Sequence, residues 1–127
     1  MATFTASWTT GVSLHGSSTL ANGGTDTDAV NLTTAGYYGI VIQEDINIAS
    51  GSPNGDILIE ILSSSDGGSN TDTEAATVRR INFVATGNKK ITIPVFGYPY
   101  VTSKVTNNTG VSVTHVSRYA GLKQASA

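Results

Sequence analysis

The chain has 127 residues and no cysteine, which is enough for one domain with an ordinary core and rules out a fold that depends on disulfides. Charged residues make up only 13% of it and the net charge is −2, which argues against polyanion binding driven by counterion release. No apolar run approaches the roughly 20 residues needed to cross a bilayer, so neither nucleic acid nor membrane is expected as a partner. The first residues, Met1 to Trp8, have no basic start and no hydrophobic segment of the secretory kind. Synthesis and assembly in cytoplasm is the expectation.

Phe4, Ala6 and Trp8 alternate with Thr5 and Ser7, predicting a short first strand, and Val12-Ser13-Leu14 predicts a second. Gly16 to Thr27 is rich in turn residues and reads as loop. Asp28 to Leu32 alternates weakly and ends in the turn Thr33-Thr34-Ala35-Gly36. From Tyr37 to Ile48 the pattern sharpens. Tyr38, Ile40, Ile42, Ile46 and Ile48 share one parity, and Gln43, Asp45 and Asn47 hold the other, so this strand has one apolar and one wet face. Glu44 interrupts the apolar row, which predicts a bulge or bend. After Gly51-Ser52-Pro53-Asn54-Gly55, Ile57, Ile59 and Ile61 repeat the theme, and the two arms read as a long antiparallel hairpin at the heart of the fold.

Ser63 to Glu74 is a long polar connection of the kind that is usually functional or mobile. Thr77 to Thr86 and Lys89 to Val95 alternate as strands about a tight turn at Gly87-Asn88, with Pro94 marking an edge or strand end. Tyr100 to Asn107 and Val111 to Val116 read as a last hairpin closed by Asn107-Asn108-Thr109-Gly110, and the tail Gly121 to Ala127 is expected to be loose at its end. Short strands at regular spacing, with no helical period, give an all-β fold: residues 1–127 as a single-domain antiparallel β-sandwich, jelly-roll-like, of about eight strands.

Chemical signals are sparse. There is no Gly-x-Ser-x-Gly elbow, and the histidines are His15 and His115. His115 falls in the apolar parity beside Val111 and Val113, as a strand histidine that is partly buried or at an interface. Glu44 and Glu60 lie on the two arms of the expected hairpin and could face one another as glycosidase carboxylates do, though solvated rim positions account for them more simply. Asp66, Asn70, Asp72 and Glu74 place oxygen ligands in a glycine-bearing loop but miss the EF-hand spacing, and Asp26 with Asp28 forms a second small cluster. Solvated Asx-turns explain both, so no metal and no cofactor is assigned and no enzyme is expected. Arg79-Arg80 and Lys89-Lys90 read as solvated strand-end charges, or as partners for acidic residues of a neighbouring subunit. Tyr37, Tyr38, Tyr98 and Tyr100 are interface candidates, because tyrosine brings large contact area at low entropic cost. Phe4 and Trp8 join them as an arm packed on a neighbour, or else belong to the core.

The aromatic first strand, Asp28 to Gly39, Ile59 to Gly67, Tyr98-Pro99-Tyr100-Val101 and Lys104 to Val113 together resemble small virion proteins of tailed bacteriophages. In these a jelly-roll domain decorates or cements the capsid. The resemblance covers most of the chain but rests on no signature residue. It implies a capsid decoration protein on the virion surface, seated on the major capsid protein and self-associated as a trimer. The alternative is a carbohydrate- or receptor-binding sandwich of a tail or fibre, with the four tyrosines stacking on sugar rings.

Overall fold

A computed structural model describes residues 6–66 and 68–124. Among them are nine strands: β1 (Ala6–Trp8), β2 (Val12–Leu20), β3 (Thr25–Asn31), β4 (Tyr37–Ile48), β5 (Gly55–Ser64), β6 (Thr77–Phe83), β7 (Gly87–Phe96), β8 (Tyr100–Asn108) and β9 (Val113–Gln124). One sheet has the order β1-β9-β4-β7, with β2 also paired to β9, and the other has the order β3-β8-β5-β6. The pairs β2·β9, β3·β8, β4·β7 and β5·β6 are nested in the sequence and fall alternately in the two sheets. That winding is a jelly roll, so the all-β sandwich expected from the sequence is the fold observed.

Several local expectations are corrected by this topology. Tyr37 to Ser64 is not a hairpin: β4 pairs with β7 and β9, whereas β5 pairs with β6 and β8. The turns at Gly87 and at Asn107 to Gly110 likewise carry the chain from one sheet to the other. Among the described residues the one direct pairing of consecutive strands is β5 with β6, across the polar connection that reads as a long loop. Glu44 causes no bulge, since β4 runs in register with β9 from Gly39 to Asn47. The irregularity lies between Tyr37 and Gly39 instead, where Tyr37 packs against the core and its ring occupies the space a Cβ of Gly121 would need. Residues 16–20 and 25–27, read as loop, belong to β2 and β3, and β9 runs on to Gln124. β2 is a Ser- and Thr-rich edge strand with two register shifts, so it shows no clean alternation in the sequence.

The turn before β4 closes as a single helical turn, α1 (Leu32–Ala35). Asn31 Oδ1 accepts a hydrogen bond from the Thr34 N–H at 3.0 Å, and Gly36 ends the turn at φ 75°, a left-handed conformation that favours glycine. Ile40, Ile42, Ile46 and Ile48 from one sheet meet Ile57, Ile59, Ile61, Phe83, Val101 and Val105 from the other, all buried. Among the described residues no helix is long and apolar enough to cross a membrane.

Candidate functional site

The inward face of the sandwich is not uniformly apolar. β4 keeps its alternation through Glu44, so the carboxylate that interrupts the isoleucine row points into the interior, at 0% exposure. β9 does the same with His115 and Ser117, β8 with Ser103, and β3 presents Asp26 and Asp28 on the parity of buried Val30. These side chains form one connected cluster at the seam between the sheets. His115 Nε2 lies 2.5 Å from Glu44 Oε2, and its Nδ1 lies 2.9 Å from Asp26 Oδ2. The hydroxyls of Ser103 and Ser117 donate to Glu44 Oε1 at 3.1 and 3.0 Å.

His15 completes the cluster from β2. Its Nε2 stands 3.2 Å from the same Asp26 Oδ2 and 2.7 Å from Ser18 Oγ, and its Nδ1 is 2.8 Å from Asp28 Oδ2. The register shifts of β2 fall on either side of His15, which is how a bulged edge strand re-aims a side chain. The two imidazoles stack with centroids 4.8 Å apart and planes at 19°. Burial alone would push the His115 pKa down. Hydrogen bonds to Glu44 and Asp26, together with the charges of both carboxylates, outweigh it and raise the pKa above the ordinary 6.5. Among the described residues, no buried side-chain nitrogen or oxygen lacks a hydrogen-bond partner.

Among the described residues, His15, Asp26 and His115 are also the group whose ligand atoms lie close enough together to hold a metal ion, all within 4.8 Å of one another. The loop candidates are arranged differently. Asp66 accepts hydrogen bonds from the Ser64 hydroxyl at 2.8 Å and from the Asn70 N–H and side-chain amide at 2.9 and 2.6 Å, and Asp72 accepts one from the Ser63 hydroxyl at 2.7 Å. The Asn70 side chain first, then the Asn70 backbone and Ser64, holds the Asp66 pKa below its ordinary value. Glu74 is exposed nearby. Glu60 lies in the opposite sheet from Glu44, on the outward parity of β5, so the two carboxylates do not face one another. Of the basic pairs, Arg80 reaches Asp56 at 3.1 Å, Lys90 approaches Asp45 at 3.9 Å, and Lys89 lies 5.0 Å over the Phe83 ring.

A second feature lies on the outer face of the β1-β9-β4-β7 sheet. Trp8 opposes Leu122, Leu122 opposes Gly39 and Gly39 opposes Phe96, so these four form one row across the sheet. The Phe96 ring lies over Gly39, where a Cβ would clash with it, and meets Trp8 edge-on at 6.4 Å. Val41, opposed by Pro94 and Ala120, extends the apolar band. Trp8 and Phe96 are each about half exposed, at 49% and 51%. Of the tyrosine candidates, Tyr38 and Tyr98 are exposed, Tyr100 is half-buried beside Gly68, and Tyr37 packs edge-on against Tyr119. Phe4 lies outside the described residues.

Sequence reasoning missed the cluster as a cluster, although it placed His115 in an apolar parity and noted Asp26 with Asp28. The usable signal was that Glu44 interrupts a row of buried isoleucines and that His115 continues the apolar parity of Val111 and Val113. Two such interruptions in one small core are expected to answer each other, because a buried charge needs a partner.

No protein-family model matches the chain, and no curated protein matches its sequence. Solved structures do resemble it. One is that of Bacillus endospore appendages, described as a family of disulfide-linked pili: 17% identical with a TM-score of 0.55, over 98% of this chain and 93% of that one. Another is a Yersinia pseudotuberculosis-derived mitogen: 14% identical with a TM-score of 0.50, over 94% of this chain and 86% of that one. At such identities the likeness concerns the fold alone.

Proposed function

We propose that this chain is a virion structural protein that decorates and cements a bacteriophage capsid, bound through the outer face of the β1-β9-β4-β7 sheet to the major capsid protein and to copies of itself in a trimer. The observation that carries the reading is the outward apolar band of Trp8, Leu122, Phe96 and Val41, in a molecule whose surface is otherwise Ser-, Thr- and Asn-rich. A contiguous exposed apolar patch of this kind marks a protein-contact surface more often than a chemical site. One structural neighbour builds pili, so this architecture serves assembly elsewhere. Those pili are disulfide-linked. Having no cysteine, this chain is left with noncovalent faces such as this one.

Removing the residues before Thr9 tests the reading. Thr9 itself is kept because its N–H donates to Gly121 O, and its hydroxyl accepts from the Gly121 N–H, both at 2.8 Å. The shortened domain is expected to fold and to lose its place on capsids imaged by cryo-microscopy, and Phe96→Ser is expected to weaken occupancy in the same direction. Full occupancy with both changes would overturn the proposal. The glycan alternative would have to rest on Tyr38, Tyr98 and Tyr100, because Tyr37 packs against the core.

A further inference from the structure

We propose that His15, Asp26 and His115 form a binding site for a divalent transition cation, best suited to Zn2+, which ties β2 and β9 of one sheet to β3 of the other. His15 Nε2 and His115 Nδ1 converge on a single oxygen, Asp26 Oδ2, at 3.2 and 2.9 Å. The far nitrogen of each ring is held by a different carboxylate: His15 Nδ1 by Asp28 at 2.8 Å and His115 Nε2 by Glu44 at 2.5 Å.

The proton count makes this arrangement informative. The ligand atoms of His15, His115 and Asp26 all lie within 4.8 Å of one another, and Ser18 Oγ stands 2.7 Å from His15 Nε2 at the same place. With the far nitrogen of each ring on its own carboxylate, the neutral tautomer that keeps its N–H there leaves the near lone pair free for a cation. The rings stack 4.8 Å apart, so one shared cation joins them without setting two like charges side by side.

A bound cation makes each ring part of a carboxylate–imidazole–metal relay, in which the outer carboxylate fixes ring orientation and raises ligand basicity. Glu44 is itself fixed by two serine hydroxyls, so the His115 relay is anchored on buried partners. Two imidazoles and a carboxylate suit Zn2+, with a further position open to water. Side-chain exposures of 21% for His15 and 18% for Asp26 give an ion a way in from solvent. This site is independent of the capsid reading and stands or falls without it.

The test uses the full chain after chelation, titrated with Zn2+ by calorimetry and followed by thermal unfolding, with nitrogen-15 imidazole shifts recorded in parallel. Bound Zn2+ should raise the unfolding temperature progressively with its concentration, release protons on binding, and bring His15 Nε2 and His115 Nδ1 to the shifts of metal-bound imidazole nitrogens while their ring partners remain N–H nitrogens. His15→Ala and Asp26→Asn, at partly exposed positions, should abolish the Zn2+-dependent stabilisation, and Asp28→Asn should weaken binding about 10–100-fold. Absence of heat and of a thermal shift in the wild-type chain would overturn the proposal. So would undiminished binding in both ligand variants, or metallation of other nitrogens. The nitrogen shifts decide the matter on wild-type protein even if a variant fails to fold.

Discussion

Two of the polar regions buried in this sandwich solve the same problem by different means. At the β8–β9 crossing, Asn107 and Thr109 are fully buried and neutral. The Asn107 amide donates to Leu20 O at 3.0 Å and Val111 O at 2.7 Å, while its Oδ1 accepts from the Thr109 N–H at 3.0 Å and hydroxyl at 2.7 Å. Every bond there joins groups that do not titrate, and the result is a pin between two sheet-crossing turns. The Glu44–His115–Asp26 cluster is just as well satisfied, but its bonds join groups that gain and lose protons. A pin made of amides holds at any pH. One made of carboxylates and imidazoles holds only in certain protonation states, so it can sense protons or cations.

Breaking the ionisable cluster should give the largest effect. Glu44→Leu leaves His115 without its buried counter-charge and is expected to cost about 3–5 kcal/mol in chemical denaturation near pH 6, where His115 is charged. Adding His115→Leu should recover most of that loss, because an apolar pair of similar volume needs no partner. If the double variant is as unstable as the single one, the serines and Asp26 depend on the pair for more than charge. Asn107→Leu is expected to cost about 3 kcal/mol by stranding two carbonyls and the Thr109 donors, and no second substitution at one site should repair it.

The comparison sharpens when pH is varied with chelator present. His115 has its folded pKa raised above the unfolded 6.5, so its contribution to stability is complete below 6.5 and is lost as pH rises through the folded value. Groups facing it are Glu44 from β4, Asp26 from β3 and His15 from β2. Wild-type protein should therefore lose stability as pH rises from 6.5 through the folded value. Asn107→Leu should lose it in parallel, offset by a constant amount, and His115→Gln should lack this component. Equal slopes in wild type and His115→Gln would show that the cluster does not titrate as described.

The sequence disclosed the faces of strands far better than their partners. Ile40, Ile42, Ile46 and Ile48 were legible as an inner row because period two is a local property, and so were Ile57, Ile59 and Ile61. The pairing was not, because Gly51 to Gly55 and Asn107 to Gly110 carry the same turn residues whether the chain doubles back in one sheet or crosses to the other. The site was half visible. Glu44 broke an isoleucine row and His115 followed the parity of Val111 and Val113, but their meeting depends on β4 and β9 being neighbours, and residues 49–112, about half of the sequence, lie between these strands. His15 was hidden altogether, because two register shifts in a Ser/Thr-rich edge strand erase the alternation that would have given its direction.

The polar loop between β5 and β6 supplies the contrast from the surface, with the smallest expected effect. Asp66 accepts much the same kind of hydrogen bonds as Glu44, yet it does so in water, where solvent replaces any bond that is lost. Its pKa is held below 3.8, so whatever it contributes is present above 3.8 and disappears as pH falls through the folded value. A carboxyl carbon-13 titration should place the Asp66 midpoint below 3.8, and Asn70→Ala, removing the largest cause of the shift, should move it back toward 3.8. The same variant should leave the thermal midpoint at neutral pH essentially unchanged. A substantial loss of stability in Asn70→Ala would mean that this loop, rather than only the buried clusters, is part of what holds the two sheets together.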